Sequence, residues 1–99
     1  MARGLSFFQK RILLVALRER FVLCQDLLRL WGLQPGAVID KAKYSAAHSA
    51  LSRSLTRLYW RGLIEFWQQK LVRYRTAITL TDEGKSMAAS IILEEKESG

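Results

Sequence analysis

The chain has a single imidazole, His48, and a single thiol, Cys24. Neither has neighbours at the spacings that metal sites or nucleophilic catalysis use. Ser45, Ser49, Ser52 and Ser54 crowd one stretch, but no histidine–acid pattern accompanies them. A Gly-rich phosphate loop, a GxGxxG and a carboxylate pair in a plausible cleft are all missing. What the sequence does offer is guanidinium chemistry. Arg53 and Arg57 stand four apart in YSAAHSALSRSLTRLYWRG, residues 44–62, a stretch without a single acid. A guanidinium is a planar fork of N–H donors that matches two phosphate oxygens, or O6 and N7 of guanine, at once. The expectation is binding chemistry, with no catalysis, no metal and no cofactor.

For the two arginines to act together, one element must hold them. With a helical period, Tyr44, Ala47, His48, Leu51, Leu55 and Leu58 fall on one face, the stripe of a helix buried on one side. Ala46, Ser49, Arg53, Thr56, Arg57 and Trp60 fall on the opposite side. That outer face begins small and polar, so the helix can approach a surface closely, and its arginines reward the approach when the surface is phosphate or a guanine edge. Ser45 is a reasonable N-cap. Gly62 ends the helix, because it can take the left-handed conformation just past the last turn.

After Gly62, Leu63 to Trp67 make a short strand-like run, Gln68 to Arg75 is polar and basic, and Thr76 to Leu80 is a β-branched second run. Thr81 then caps a last helix whose first turn carries Asp82 and Glu83, where the dipole favours acids. SRSLTRLYWRGLIEF, a basic gap, and ITLTDEGK together resemble the recognition helix, wing and post-wing helix of winged helix-turn-helix transcriptional regulators, MarR-like ones among others. The resemblance covers roughly residues 44 to 88. It implies an α+β, mostly α, winged helix-turn-helix: a three-helix core, a two-stranded β-wing and a C-terminal helix.

It also implies double-stranded DNA as the partner, with helix 45–61 in the major groove. Ala46, Ser49 and Ala50 would lie nearest the bases, with Arg53 bidentate on guanine. Lys43, Tyr44 and Arg57 would contact phosphates and set the register. Ser45, at the helix start, belongs to the same DNA-facing set. Lys70, Arg73 and Arg75, on wing 68–75, would reach the adjacent minor groove or backbone.

Charge agrees with a polyanionic partner. The net charge is +7 over 99 residues, and it is unevenly placed. Between Lys41 and Arg75 there are eight basic residues and one acid, Glu65, whereas residues 82–99 carry two basic and five acidic side chains. Such concentration is the electrostatic footprint of a nucleic-acid binder. A hydrophobic share of 49% with 25% charged residues is that of a globular chain and argues against disorder. The length suits one domain, 1–99, with loose ends at 1–4 and 95–99. The lone cysteine fits a reducing cytoplasm, so a cytoplasmic protein that joins the nucleoid when bound to DNA is expected. Cys24 itself reads as a small buried hydrophobe.

The N-terminal half reads as two helices. Leu5 to Arg20 carries a stripe of Leu5, Phe8, Ile12, Val15 and Ala16, widened by Leu13, Leu14 and Leu17. That surplus needs either the C-terminal helix of the same chain or a second copy, and a homodimer through the N- and C-terminal helices is expected. No run approaches the roughly 20 apolar residues of a membrane span. Phe21 to Trp31 reads as a short second helix, with Leu27, Leu28, Leu30 and Trp31 inward and Gly32 at its end. The connection from Gly32 to Tyr44 is longer than the three or four residues of a compact helix-turn-helix, with a strand or helical turn at 37–39. Trp60 points outward and has three roles open to it: packing beneath the wing, a dimer contact, or the sugar–phosphate backbone. The competing function is a winged-helix protein–protein or RNA-binding module of a larger complex, using Trp60 and the Leu13–Leu14–Leu17 surplus.

Overall fold

Helix α1 spans Phe7–Glu19 and starts at a reciprocal cap. The Gln9 amide donates to the Ser6 hydroxyl at 3.2 Å, and the Ser6 amide donates back to Gln9 Oε1 at 2.9 Å. Two donors that the first turn would leave unpaired are thus satisfied, which also explains why Gln9 is buried. The helix ends abruptly. Arg20 takes φ 67°, and the Phe21 amide donates to the Glu19 carbonyl at 2.8 Å, a γ-turn of the strained, positive-φ kind. This computed structural model describes residues 4–32, 41–69 and 75–98.

The γ-turn delivers the chain directly into a strand. The single helix expected over Phe21–Trp31 is instead strand β1, Val22–Leu23, followed by a 3₁₀ helix, Cys24–Trp31. β1 lies antiparallel to β3, Arg75–Leu80, with Val22 opposite Ile78 and Leu23 opposite Ala77. β3 is the central strand, and its other edge carries β2, Ile64–Gln69. The two-stranded wing therefore has a third strand at its base. In the 3₁₀ helix the three-residue period lines up Cys24, Leu27 and Leu30 on the core, with Leu28 and Trp31 beside them. Trp31 stacks on Phe8 of α1 at 4.4 Å. Burial pushes the Cys24 thiol up to about 11, so it stays protonated, as expected of an apolar filler. Segment 37–39 lies outside the described residues.

α2 spans Lys41–Trp60 and buries Ala47, Leu51, Leu55 and Leu58. The three leucines contribute about 1.5–3 kcal/mol each by leaving water. Two expectations need correction here. The helix begins at Lys41, so Ser45 is an interior residue and not the N-cap; nothing between 41 and 44 breaks a helix, and Ala and Lys favour one. Tyr44 and His48, placed on the apolar stripe by periodicity, are exposed, their rings 6.0 Å apart. The first turns of α2 run past the core before Ala47 reaches it.

The end of α2 follows its expected chemistry. Gly62 has φ 73°, its amide donates to the Tyr59 carbonyl at 2.9 Å, and the Leu63 amide donates to the Leu58 carbonyl at 3.0 Å. This is a Schellman ending with its apolar pair, Leu58 and Leu63, buried. Thr81 joins this end to α3, Asp82–Ser98. Its hydroxyl donates to the Gly62 carbonyl at 2.6 Å and accepts from the Gly84 amide at 3.0 Å. Its own amide donates to the Leu63 carbonyl at 3.1 Å. Thr81→Val keeps the shape and removes both hydroxyl bonds; a loss of about 1–3 kcal/mol of stability is expected, with Thr81→Ser restoring most of it, as read by urea unfolding.

α1 lies along α3, where Ile12, Leu13 and Ala16 meet a helix that buries Ala88 and Ile91. Leu14, Leu17 and Met87 pack partly against this core, so much of the α1 surplus is absorbed within the chain. α3 is helical to Ser98, despite the acids in its last turns. Among the described residues, no helix is long and apolar enough to cross a membrane.

Candidate nucleic-acid interface

α2 is the element that positions the candidate residues. Its buried leucines orient it, and Gly62, Leu63 and Thr81 hold its far end, so its opposite face is fixed relative to the body. On that face Lys43, Ser45, Ala46, Ser49, Arg53 and Arg57 are all exposed, together with Lys41, Thr56 and Trp60. Tyr44 is exposed on the flank beside His48. Ala50, next to Ser49, is half-buried.

Spacing matches a groove. Ala46 to Arg53 covers about 10 Å of axis at 1.5 Å per residue, within the roughly 12 Å width of the DNA major groove. Small side chains at Ala46 and Ser49 leave the backbone free to come close. Arg53 and Arg57 follow on successive turns.

The charge is unopposed. α2 contains no acid, and the ion pair of Arg29 with Glu19, at 3.8 Å, joins the 3₁₀ helix to α1. An exposed pair of that kind contributes little. Lys41, Lys43, Arg53 and Arg57 therefore make no carboxylate contact among the described residues, and their donors remain available to a polyanion. Acids gather elsewhere. An open cleft of about 470 Å³ at the α2–α3 junction is lined by Gly62, Glu65, Leu80, Thr81, Asp82 and Glu83. Its carboxylates would repel phosphate, so the polarity of the molecule is built in. No cluster of three or more His, Cys, Asp or Glu fit to hold a metal occurs among the described residues.

β2 and β3 pair in register from Ile64 with Leu80 to Gln69 with Arg75. Arg75 thus opens β3 beside the hairpin tip, while Lys70 and Arg73 lie outside the described residues. Trp67 is held on its strand by donation from its indole N–H to Thr79 Oγ1 at 2.8 Å. Phe66, on the other face, meets Tyr59 of α2 at 5.4 Å and ties the hairpin to the helix. This contact joins two residues that flank Gly62 in the chain, and no local periodicity announces it.

The sequence matches no protein-family model and no curated protein. Solved structures do match, with probability 1.00. The adhesin competence repressor AdcR of Streptococcus pyogenes aligns with TM-score 0.71 at 15% identity, covering 96% of this chain and 59% of that one. A variant of ZitR from Lactococcus lactis gives TM-score 0.71 at 14% identity, covering 96% and 56%. The transcriptional regulator SlyA gives 0.72 at 17%, covering 96% and 58%. These neighbours are winged-helix regulators of the MarR family. The chain spans about three fifths of the length of the solved structures it matches. At such identities the likeness is one of architecture: this chain has the winged helix-turn-helix fold.

Proposed function

We propose that the protein binds double-stranded DNA sequence-specifically and acts as a small transcriptional regulator. α2 enters the major groove through residues 45–61, and the basic wing 68–75 lies on the adjacent minor groove or backbone. One observation carries this reading: an acid-free helix presents Lys43, Ala46, Ser49, Arg53 and Arg57 on its exposed face, over a length that fits the groove. Arg53 supplies bidentate contact to guanine; Lys43, Tyr44, Ser45 and Arg57 hold phosphates; Lys70, Arg73 and Arg75 extend the contact from the wing. The likeness to solved transcriptional regulators supports the reading. One such module buries modest area, so two copies per site are expected, joined through α1 and α3. Phe7 on α1 and Leu93 on α3 support that arrangement, since they remain 68% and 60% exposed. The protein works in the cytoplasm and carries no catalytic activity.

The test is titration of a labelled random-sequence duplex at 50 and 200 mM salt. Lys43 and Arg57 of two chains neutralise about four phosphates, for which affinity falls by roughly a hundredfold between the two salt concentrations, and each wing contact to a phosphate steepens the fall. Folded protein that ignores DNA at the lower salt rules the proposal out. The second reading, a protein-binding module, draws on the exposed Tyr59 and Trp60; its apolar interface would hardly respond to salt.

A further inference from the structure

Among the described residues Trp60 is the least buried large hydrophobic, at 81% exposure. The other two tryptophans are engaged: Trp31 stacks on Phe8, and Trp67 donates to Thr79. Among the described residues the Trp60 ring has neither an aromatic neighbour nor a hydrogen-bond acceptor. Keeping an indole in water forgoes a large hydrophobic gain, and a ring that is apolar at one end and an N–H donor at the other is suited to an interface. Packing beneath the wing is excluded over the described part of the hairpin, because Tyr59 occupies the position against Phe66.

Direction and distance both point to the DNA face. At 100° per residue, Trp60 projects within about 20° of Arg53 and about 60° of Arg57. Along the axis it stands about 10 Å beyond Arg53. If Ala46 to Arg53 fills a groove about 12 Å wide, a residue that much further along meets the strand bordering the groove. That strand presents an apolar deoxyribose beside an anionic phosphate. An indole presents an apolar face beside an N–H donor. The match is complementary in shape and polarity, and it is continuous with the basic face of α2.

We propose that Trp60 is a DNA-contacting residue, its ring packed on a deoxyribose of the groove-bordering strand and its Nε1–H donating to the adjoining phosphate. This rests on α2 being the recognition helix. Because indole is uncharged, it releases no counterion, so it adds affinity without adding to the salt dependence. Arginine contacts cannot do that, and the difference makes the role measurable.

The experiment uses the full chain, a duplex probe and the variants Trp60→Ala and Trp60→Phe, with acrylamide quenching of tryptophan fluorescence alongside. DNA is expected to shield wild-type fluorescence from acrylamide and to leave that of Trp60→Phe unshielded. Trp60→Ala should bind about tenfold more weakly, with an unchanged slope of log affinity against log salt. Equal affinity in wild type and Trp60→Ala, or an indole still open to quencher in the complex, overturns the inference while leaving α2 as the recognition helix. So does a Trp60→Ala variant whose only defect is loss of self-association, which would assign the ring to a second copy. Absence of any DNA binding by folded wild type overturns both readings together.

Discussion

Replacing Arg53 and Arg57 together by alanine is expected to weaken duplex binding at about 150 mM salt by a hundredfold or more, at about 1–3 kcal/mol per arginine. The slope of log affinity against log salt should flatten by about one for each phosphate contact removed. Both side chains are exposed and make no ion pair among the described residues, so the melting temperature should hardly move; surface changes of this kind stay within about 0.5 kcal/mol. The combination matters. Lost binding in a protein of wild-type stability assigns the arginines to the interface, whereas lost binding with lost folding would say nothing of contact. A folded double variant that binds as tightly as wild type would remove α2 from the interface. Lysine at both positions offers a finer cut. It keeps charge and therefore the salt slope, but loses the bidentate fork, so discrimination between sites should fall more than overall affinity.

Gly84→Ala is expected to destabilise the protein by about 3 kcal/mol or more, equivalent to a fall in melting temperature of roughly 12 °C or greater in a chain of this size. Helix propensity alone predicts the reverse, since alanine is favoured over glycine inside a helix by about 1 kcal/mol. The reason lies across the junction. A methyl at Gly84 would overlap the Leu63 carbonyl oxygen and stand 3.0 Å from its carbonyl carbon. Neither atom can yield, because that carbonyl also accepts from the Thr81 amide. Gly32→Ala makes the contrast: it has open space but φ 79°, so its cost is the left-handed backbone alone, about 1–2 kcal/mol. Thermal melts of the two variants separate the mechanisms. A stabilised Gly84→Ala would mean that α3 and the end of α2 do not meet as described.

Gly62 and Gly84 show how legible the fold was. Gly62 and the Leu51, Leu55 and Leu58 stripe are local signals, readable because a helix repeats every 3.6 residues and a Schellman end needs a positive φ. Arg53, Arg57 and Trp60 fall on the exposed face for the same reason. Gly84 looked like an ordinary residue in a helix, because what forbids its Cβ is a carbonyl on another element. β1 was missed on similar grounds. Two residues make a strand only when a partner strand accepts their hydrogen bonds, and theirs is β3, far along the chain. With β1 taken out of the expected second helix, eight residues remained and wound as 3₁₀.

By itself, then, the sequence determined the winged-helix order of elements from α2 onward, the acid-free outer face of α2 and the placement of charge, all of which depend on neighbours a few positions apart. The tertiary structure alone decided where burial along α2 begins, leaving Tyr44 and His48 in water although periodicity grouped them with the leucines. It decided that Thr81 and Gly84 lock the end of α2 to α3, and that Tyr59 rather than Trp60 meets the hairpin. Periodicity tells which side of a helix is apolar; only the shape of what packs against it tells how far that side is covered.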